Sequence, residues 1–284
     1  MEVKLATTAG FCFGVKRAVD TVYGQIENGA TDICTYGPIV HNEMVVRELE
    51  EKGVRVIESS DELAALTGGT VVIRAHGVGC RIYEMMEQNH IKVIDATCPF
   101  VKKIHRIVRQ QEEAGRTVII VGDPEHPEVQ GIRGWCEKVT YVIESAQDAQ
   151  GFNAEKSAKY SIVSQTTFNH NKFEDVVEII KKKGYDILVL NTICSATQER
   201  QAEARAIAAG VDAMIVIGGR HSSNTQKLFE ICKKECANTY YIQSLDDLDL
   251  KTTKSIRCVG ITAGASTPNK IIQEVLEHVG GNIC

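Results

Sequence analysis

The residues best suited to chemistry in this sequence are its cysteines. Ten occur in 284 residues, at positions 12, 34, 80, 98, 136, 194, 232, 236, 258 and 284. That is too sparse for a disulfide scaffold. The start, Met1-Glu2-Val3-Lys4-Leu5, has no basic region followed by a long apolar one, so no export signal is expected. The expected compartment is the reducing cytoplasm, where cysteines hold metals, do redox or catalytic work, or fill cores as small hydrophobes. Only Cys232 and Cys236 are closely spaced, and no CxxC pair suggests a zinc finger.

Three cysteines open similar segments: Gly10-Phe11-Cys12-Phe13-Gly14-Val15-Lys16, Ala96-Thr97-Cys98-Pro99-Phe100-Val101-Lys102 and Thr192-Ile193-Cys194-Ser195-Ala196-Thr197-Gln198. Each leads into a helix-like stretch. Val15, Ala18, Val19 and Val22 share one helical face, as do Val101, Ile104, Ile107 and Val108. The stretches end at Gly29, Gly115 and Gly210, where glycine fits a left-handed helix cap. A strand follows and reaches Gly37, Gly122 and Gly218, at 25, 24 and 24 residues past the cysteine. Polar loops come next: His41-Asn42, His126-Pro127-Glu128 and Ser222-Ser223-Asn224. Then come Ile57-Glu58-Ser59, Ile143-Glu144-Ser145 and Ile242-Gln243-Ser244, followed by strands running into Arg74-Ala75-His76-Gly77, Ser164-Gln165-Thr166-Thr167 and Thr262-Ala263-Gly264-Ala265-Ser266-Thr267.

These landmarks keep their order three times, at a domain-sized period, so the chain reads as a triplication. The first two units close with a helix and a strand that leads into the next cysteine. The third lacks that strand, and Glu2–Thr7 can supply it. The expectation is an α/β fold of three similar α/β domains around a pseudo-threefold axis. The domains are 14–97, 98–193 and 194–284, the last completed by residues 1–13.

Ligands in open α/β sheets bind beyond the carboxyl ends of the strands, where each of the three cysteines falls. A helix N-terminus behind a cysteine favours thiolate. Three converging thiolates call for a metal centre, either zinc with an open position or an iron–sulfur cluster lacking its fourth cysteine. The equivalent loops add His41, His76, His126, Thr166, Ser222, Ser223, Asn224 and Ser266, groups that suit a phosphate. Glu128 is the one acid among them, a candidate proton donor if its pKa is raised.

Composition narrows the field. The chain is 43% apolar and 24% charged, an ordinary globular balance with no span long enough for a membrane. A net charge of -5 argues against non-specific nucleic-acid or anionic-membrane binding. No GxGxxG or P-loop motif marks a nucleotide enzyme. A zinc deaminase would match His126-Pro127-Glu128 but needs a Pro-Cys-x-x-Cys that does not follow. An electron carrier would leave the polar loops unexplained, and a phosphate-binding module would leave the cysteines unexplained.

Nine motifs, from Gly-Phe-Cys-Phe-Gly-Val at Gly10 through Val-His-Asn, Ala-His-Gly-Val, Asp-Ala-Thr-Cys-Pro, His-Pro-Glu-Val, Ser-Gln-Thr-Thr, Ile-Cys-x-Ala-Thr and Ser-Ser-Asn to Thr-Ala-Gly-Ala-Ser at Ser266, span nearly the whole chain. The set resembles the 4-hydroxy-3-methylbut-2-enyl diphosphate reductase family of the non-mevalonate isoprenoid route. The resemblance implies a pseudo-threefold trefoil around a central metal-cluster site, with one 4Fe-4S cluster on Cys12, Cys98 and Cys194 and the fourth iron open to substrate. It implies that His41, His76, His126, Thr166, Ser222, Ser223, Asn224 and Ser266 hold the allylic diphosphate, with Thr167 the alternative to Thr166. Glu128 would supply the proton that lets the hydroxyl leave. A ferredoxin or flavodoxin would deliver two electrons singly, giving isopentenyl and dimethylallyl diphosphate. Of the other cysteines, Cys34 and Cys258 are expected in the core, Cys232 and Cys236 on a buried helix face, and Cys284 exposed at the terminus.

Overall fold

Short runs of β-branched and apolar residues, each stopped by a glycine or a polar turn, form the strands of the computed structural model, which describes residues 1–248 and 256–281. Burial on both faces is the reason such runs are almost wholly apolar rather than alternating. Thr117-Val-Ile-Ile-Val121 is typical, with its last four side chains fully buried.

The strands make three parallel four-stranded sheets. One contains β2 (Ile33–Tyr36), β3 (Arg55–Ile57), β4 (Thr70–Ile73) and β5 (Lys92–Asp95), in the order β3-β2-β4-β5. The next contains β6 (Thr117–Val121), β7 (Tyr141–Ile143), β8 (Lys159–Ser164) and β9 (Asp186–Val189), in the order β7-β6-β8-β9. The last contains β1 (Glu2–Leu5), β10 (Ala213–Ile217), β11 (Thr239–Ile242) and β12 (Cys258–Ala263), in the order β11-β10-β12-β1. The order is the same three times, and the N-terminal strand completes the last sheet, with Val3 paired to Val259.

The crossovers repeat too. The first sheet carries α1 (Phe13–Glu27), α2 (Glu43–Glu51), α3 (Ser60–Ala64) and α4 (Cys80–Gln88). The second carries α5 (Pro99–Glu113), α6 (Pro127–Arg133), α7 (Ala146–Gly151) and α8 (His170–Lys182). The third carries α9 (Ser195–Ala208), α10 (Ser223–Glu235) and α11 (Asn269–Gly281), with a 3-10 turn at Leu245–Asp247 where the others have α3 and α7.

Landmarks read from the sequence acquire physical roles. The N–H groups of Gly37, Gly122 and Gly218 donate to the carbonyls of Ile57, Ile143 and Ile242 at 2.7, 3.0 and 2.9 Å. Two residues on, Ser59, Ser145 and Ser244 are helix N-caps, so each Ile-x-Ser ends a strand and starts a turn of helix. The helix-terminal glycines differ. Gly29 and Gly115 are left-handed, at φ +71° and +77°, as the cap requires. Gly210 is not, which corrects that expectation. Its N–H donates to the Ile207 carbonyl at 3.0 Å, and a Cβ there would meet nothing closer than 3.8 Å. The third helix therefore ends without a backbone only glycine prefers.

By compactness the chain forms two units. One comprises Met1–Lys16, His41–Arg47 and the residues from Ser195 on, and holds the sheet closed by β1. The other comprises Arg17–Val40 and Glu48–Cys194, and holds the remaining two sheets. Those two are fastened at a glycine pair. A Cβ on Gly79 would lie 2.8 Å from the Gly134 Cα, and one on Gly134 would lie 2.6 Å from the Gly79 Cα, so only glycine allows the two backbones to pass. The Cys80 N–H donates to the Gly134 carbonyl and the Trp135 indole N–H to the Val78 carbonyl, at 3.2 and 2.7 Å.

Candidate active site

Cys12, Cys98 and Cys194 each stand immediately before a helix, α1, α5 and α9, and each is half-buried. Their backbone contacts repeat. The N–H of Cys12 donates to the Ala265 carbonyl at 3.1 Å, that of Cys98 to Ala75 at 2.9 Å and that of Cys194 to Thr166 at 3.0 Å. The acceptors lie just beyond β12, β4 and β8, so every cysteine is tied to the small or polar loop of the preceding repeat, Cys12 to that of the last. Side-chain turns lead into two of them. Asp95 Oδ1 accepts from the Thr97 N–H at 2.9 Å and Asn191 Oδ1 from the Ile193 N–H at 3.0 Å.

Within the two-sheet unit, Glu128 sits in the first turn of α6 and is only 2% exposed. The sequence alone allows an exposed helix-start glutamate, and the fold removes that reading. Its carboxylate oxygens accept from the Thr166 N–H and the Thr166 hydroxyl, both at 2.6 Å. Burial raises its pKa to about 7, against the lowering effect of those two bonds. Thr166, whose carbonyl holds Cys194, is thus the threonine attached to Glu128. Thr167 instead takes a bond from the Gln165 amide at 3.1 Å. His126 is the N-cap of α6, its Nδ1 accepting from the Glu128 N–H at 3.1 Å. The His76 ring stands edge-on to that of His126, with centroids 5.3 Å apart. Gly77 turns the chain beside His76 at φ +72°, where a Cβ would strike His105 and Thr97.

In the other unit, Ser222 caps α10, accepting from the Thr225 N–H at 3.3 Å and the Thr225 hydroxyl at 2.9 Å. Ser223 and Asn224 form the helix's first turn. Asn224 is 4% exposed, and neither its Nδ2 nor its Oδ1 has a hydrogen-bond partner among the described residues. An idle buried amide costs roughly 1–3 kcal/mol, so a group held for a ligand is its natural explanation. The Ser266 hydroxyl donates to the His41 carbonyl at 3.0 Å. A Cβ on Gly219 would fall 2.8 Å from that same carbonyl, so the His41 backbone meets the Gly219 backbone and the Ser266 hydroxyl together. Asn42, rather than His41, caps α2, through its Oδ1 to the Met44 and Val45 N–H groups.

A family model described as LytB protein matches residues 3–280. The chain belongs to the LytB family. A 4-hydroxy-3-methylbut-2-enyl diphosphate reductase of Caldanaerobacter subterraneus is 47% identical to this LytB-family chain over 98% of it and 96% of that protein. The Clostridioides difficile protein of the same name is 42% identical, over 97% and 98%. Among solved structures, the Plasmodium falciparum E-1-hydroxy-2-methyl-but-2-enyl-4-diphosphate reductase superposes with a TM-score of 0.92 at 29% identity, covering 98% of this chain and 87% of that one. A second, described as the terminal enzyme of the non-mevalonate pathway, gives a TM-score of 0.71 at 37% identity, covering 99% and 100%. The resemblance seen in the motifs is thus a family membership.

Of the remaining cysteines of this LytB-family chain, three are core and three, Cys80, Cys136 and Cys258, are half-buried. Cys34 is buried, and Cys232 and Cys236 are buried with weak S–H contacts to the Ala204 and Val211 carbonyls. Cys258 begins β12 and is only half-buried, because its strand starts at the sheet's rim. Cys284 lies outside the described residues. None of the helices among the described residues is long and apolar enough to cross a membrane. Sequence reasoning passed over Arg17 and Arg200, although each follows a cysteine of the repeat by five or six residues.

Proposed function

We propose that the chain is a 4-hydroxy-3-methylbut-2-enyl diphosphate reductase. It would take two electrons and two protons, release the substrate hydroxyl as water, and give isopentenyl or dimethylallyl diphosphate. The observation that carries this reading is Glu128, a buried carboxyl with a pKa of about 7, bonded to the threonine whose carbonyl holds Cys194. A carboxyl poised near neutrality is what proton delivery in a buried site needs.

Cys12, Cys98 and Cys194 suit a 4Fe-4S cluster: they are soft donors at matching helix starts, three in number, and half-buried. When bound, such a cluster supplies single-electron transfer and a Lewis-acidic iron. The chain's own residues do the rest. Glu128 holds the proton and Thr166 orients that carboxyl. The Asn224 amide, with Ser222, Ser223 and Ser266, binds the diphosphate, as do His41, His76 and His126. The domain boundaries 14–97, 98–193 and 194–284 belong to this same reading. So do a ferredoxin or flavodoxin as donor and a cytoplasmic location.

The test is iron and acid-labile sulfide on anaerobically reconstituted protein, with turnover of the hydroxylated diphosphate. Four of each per chain and reductive turnover are expected, and Cys98→Ser should lose iron and activity together. Zinc without sulfide would overturn the reading in favour of a hydrolase.

A further inference from the structure

Two arginines outside the site just described occupy related places in the repeat. Arg200 lies on α9, six residues past Cys194, and Arg17 on α1, five past Cys12. Arg200 is 3% exposed. Its Nη1 donates to the Ala263 carbonyl at 2.7 Å and its Nη2 to the Gly10 carbonyl at 2.9 Å. The first acceptor ends β12 and the second lies two residues before Cys12. Glu203, one turn further along α9, accepts from the N–H and hydroxyl of both Thr7 and Thr8 at 2.5–2.9 Å. One helix therefore grips the whole approach to Cys12, from Thr7 to Gly10.

Arg17 does the same one repeat further on. Its Nη1 donates to the Thr97 carbonyl at 3.0 Å and its Nη2 to the Asp95 carbonyl at 3.2 Å. Thr97 is the residue immediately before Cys98. In both cases the helix that follows one repeat cysteine clamps the loop that delivers another, with a planar fork spread over two carbonyls. On α5 the position six past Cys98 is Ile104, buried in an apolar cluster against which Leu190 packs. There the approach to Cys194 is fastened by neutral groups, the Thr192 hydroxyl donating to the Ser164 carbonyl at 2.6 Å and accepting from the Ser164 N–H at 2.7 Å.

A guanidinium bonded only to carbonyls keeps its full charge while losing water, a costly arrangement without an anion to act on. Burial works against the charge on Arg200, the nearby Glu203 already accepts four hydrogen bonds, and the carbonyl that Arg200 holds at Gly10 lies two residues before Cys12. We propose that Arg200 and Arg17 are positioning residues for Cys12 and Cys98, each fixing the loop behind its thiolate and placing there a positive charge that favours the more negative, reduced form of the bound cluster. This rests on the three cysteines being cluster ligands.

The experiment is a potentiometric titration of the reconstituted enzyme, followed by its visible and paramagnetic signals, with iron content and far-UV circular dichroism as controls. Arg200→Met should make reduction about tenfold less favourable, a shift of about 59 mV to lower potential for a one-electron couple. Arg17→Met should shift the same way by less, its side chain being half-exposed. Arg200→Lys keeps the charge without the fork, so its potential should stay near the wild type while it loses iron faster in air. Met variants that load four irons and titrate at the wild-type potential would overturn the proposal. If Arg200→Met does not fold, Arg17→Met and Arg200→Lys decide. A wild-type protein that binds no cluster would overturn the reductase reading and this proposal together. A wild type that loads and turns over, with unmoved potentials in the variants, would overturn the arginine role alone.

Discussion

At Glu128 two effects oppose each other and burial wins. The two bonds from Thr166 favour the carboxylate, yet desolvation lifts the pKa from 4.5 to about 7. The sign of the linkage follows. The unfolded chain ionises first, so this residue's effect is to lower stability as pH rises from 4.5 to about 7, with no further change above. The size is on the order of 3 kcal/mol. His105 works the other way at acid pH, burial having lowered its pKa to about 4, so its contribution is lost as pH falls from 6.5. Comparing Glu128→Gln with the wild type cancels that background. Urea unfolding at pH 5 and pH 7.5 should show the variant losing less stability over the interval. The same variant should keep its iron but turn over roughly a hundredfold or more slowly. Normal turnover in it would remove the proton-delivery role. The identity of Glu128 was legible as the one acid in a set of polar loops. Its burial was not, since a glutamate in a first helical turn is ordinarily solvated. Arg17 and Arg200 were illegible for a similar reason: an arginine on an amphipathic helix reads as surface until the partner loop is in view.

At the start of α10 a serine whose hydroxyl closes the helix end stands beside an asparagine whose amide has no partner among the described residues. Ser222 closes the helix end through Thr225, so Ser222→Ala should cost about 1 kcal/mol of stability. Asn224 has two buried atoms that bond to nothing among the described residues, so Asn224→Ala should leave the thermal midpoint unchanged or raise it. Its KM for the diphosphate substrate should rise by roughly tenfold, the effect of losing one charge-assisted bond of about 1.4 kcal/mol. Thermal unfolding with steady-state kinetics separates the two residues. A destabilised Asn224→Ala with an unchanged KM would make the residue structural. The helices and strands themselves were readable because the hydrophobic period and the punctuating glycines repeat three times, and β6 and β10 fall where the sequence puts them. The cap at Gly210 was not, because one glycine residue name serves both a left-handed cap and an ordinary helix end.

At the scale of the molecule, triplicate sequence gives triplicate sheets but two compact units. The sheets are visible in the pattern because each repeat buries its own strands. The joining of two of them turns on the Gly79–Gly134 crossing, a contact between positions that share no periodicity. The third sheet depends on the two ends of the chain. β1 is its edge strand, bonded to β12 in register from Glu2–Cys258 to Leu5–Ile261, and Glu203 secures Thr7 and Thr8 just beyond it. Contacts that span almost the whole sequence are slow to form, so this sheet should be the last to consolidate during refolding. Deleting residues 1–8 would strip β12 of one of its two partners and leave the backbone of Cys258–Ile261 along a bare strand edge. The truncated chain should therefore aggregate on size-exclusion chromatography and lose the cooperative unfolding of the full protein. Loading of iron should fail with it, because the approach to Cys12 has lost Thr7 and Thr8, its anchors on Glu203. A monomeric truncated protein with a wild-type thermal midpoint would mean that β10, β11 and β12 stand without the N-terminal strand, and that the closing of the third repeat by the first residues serves the cysteine rather than the sheet.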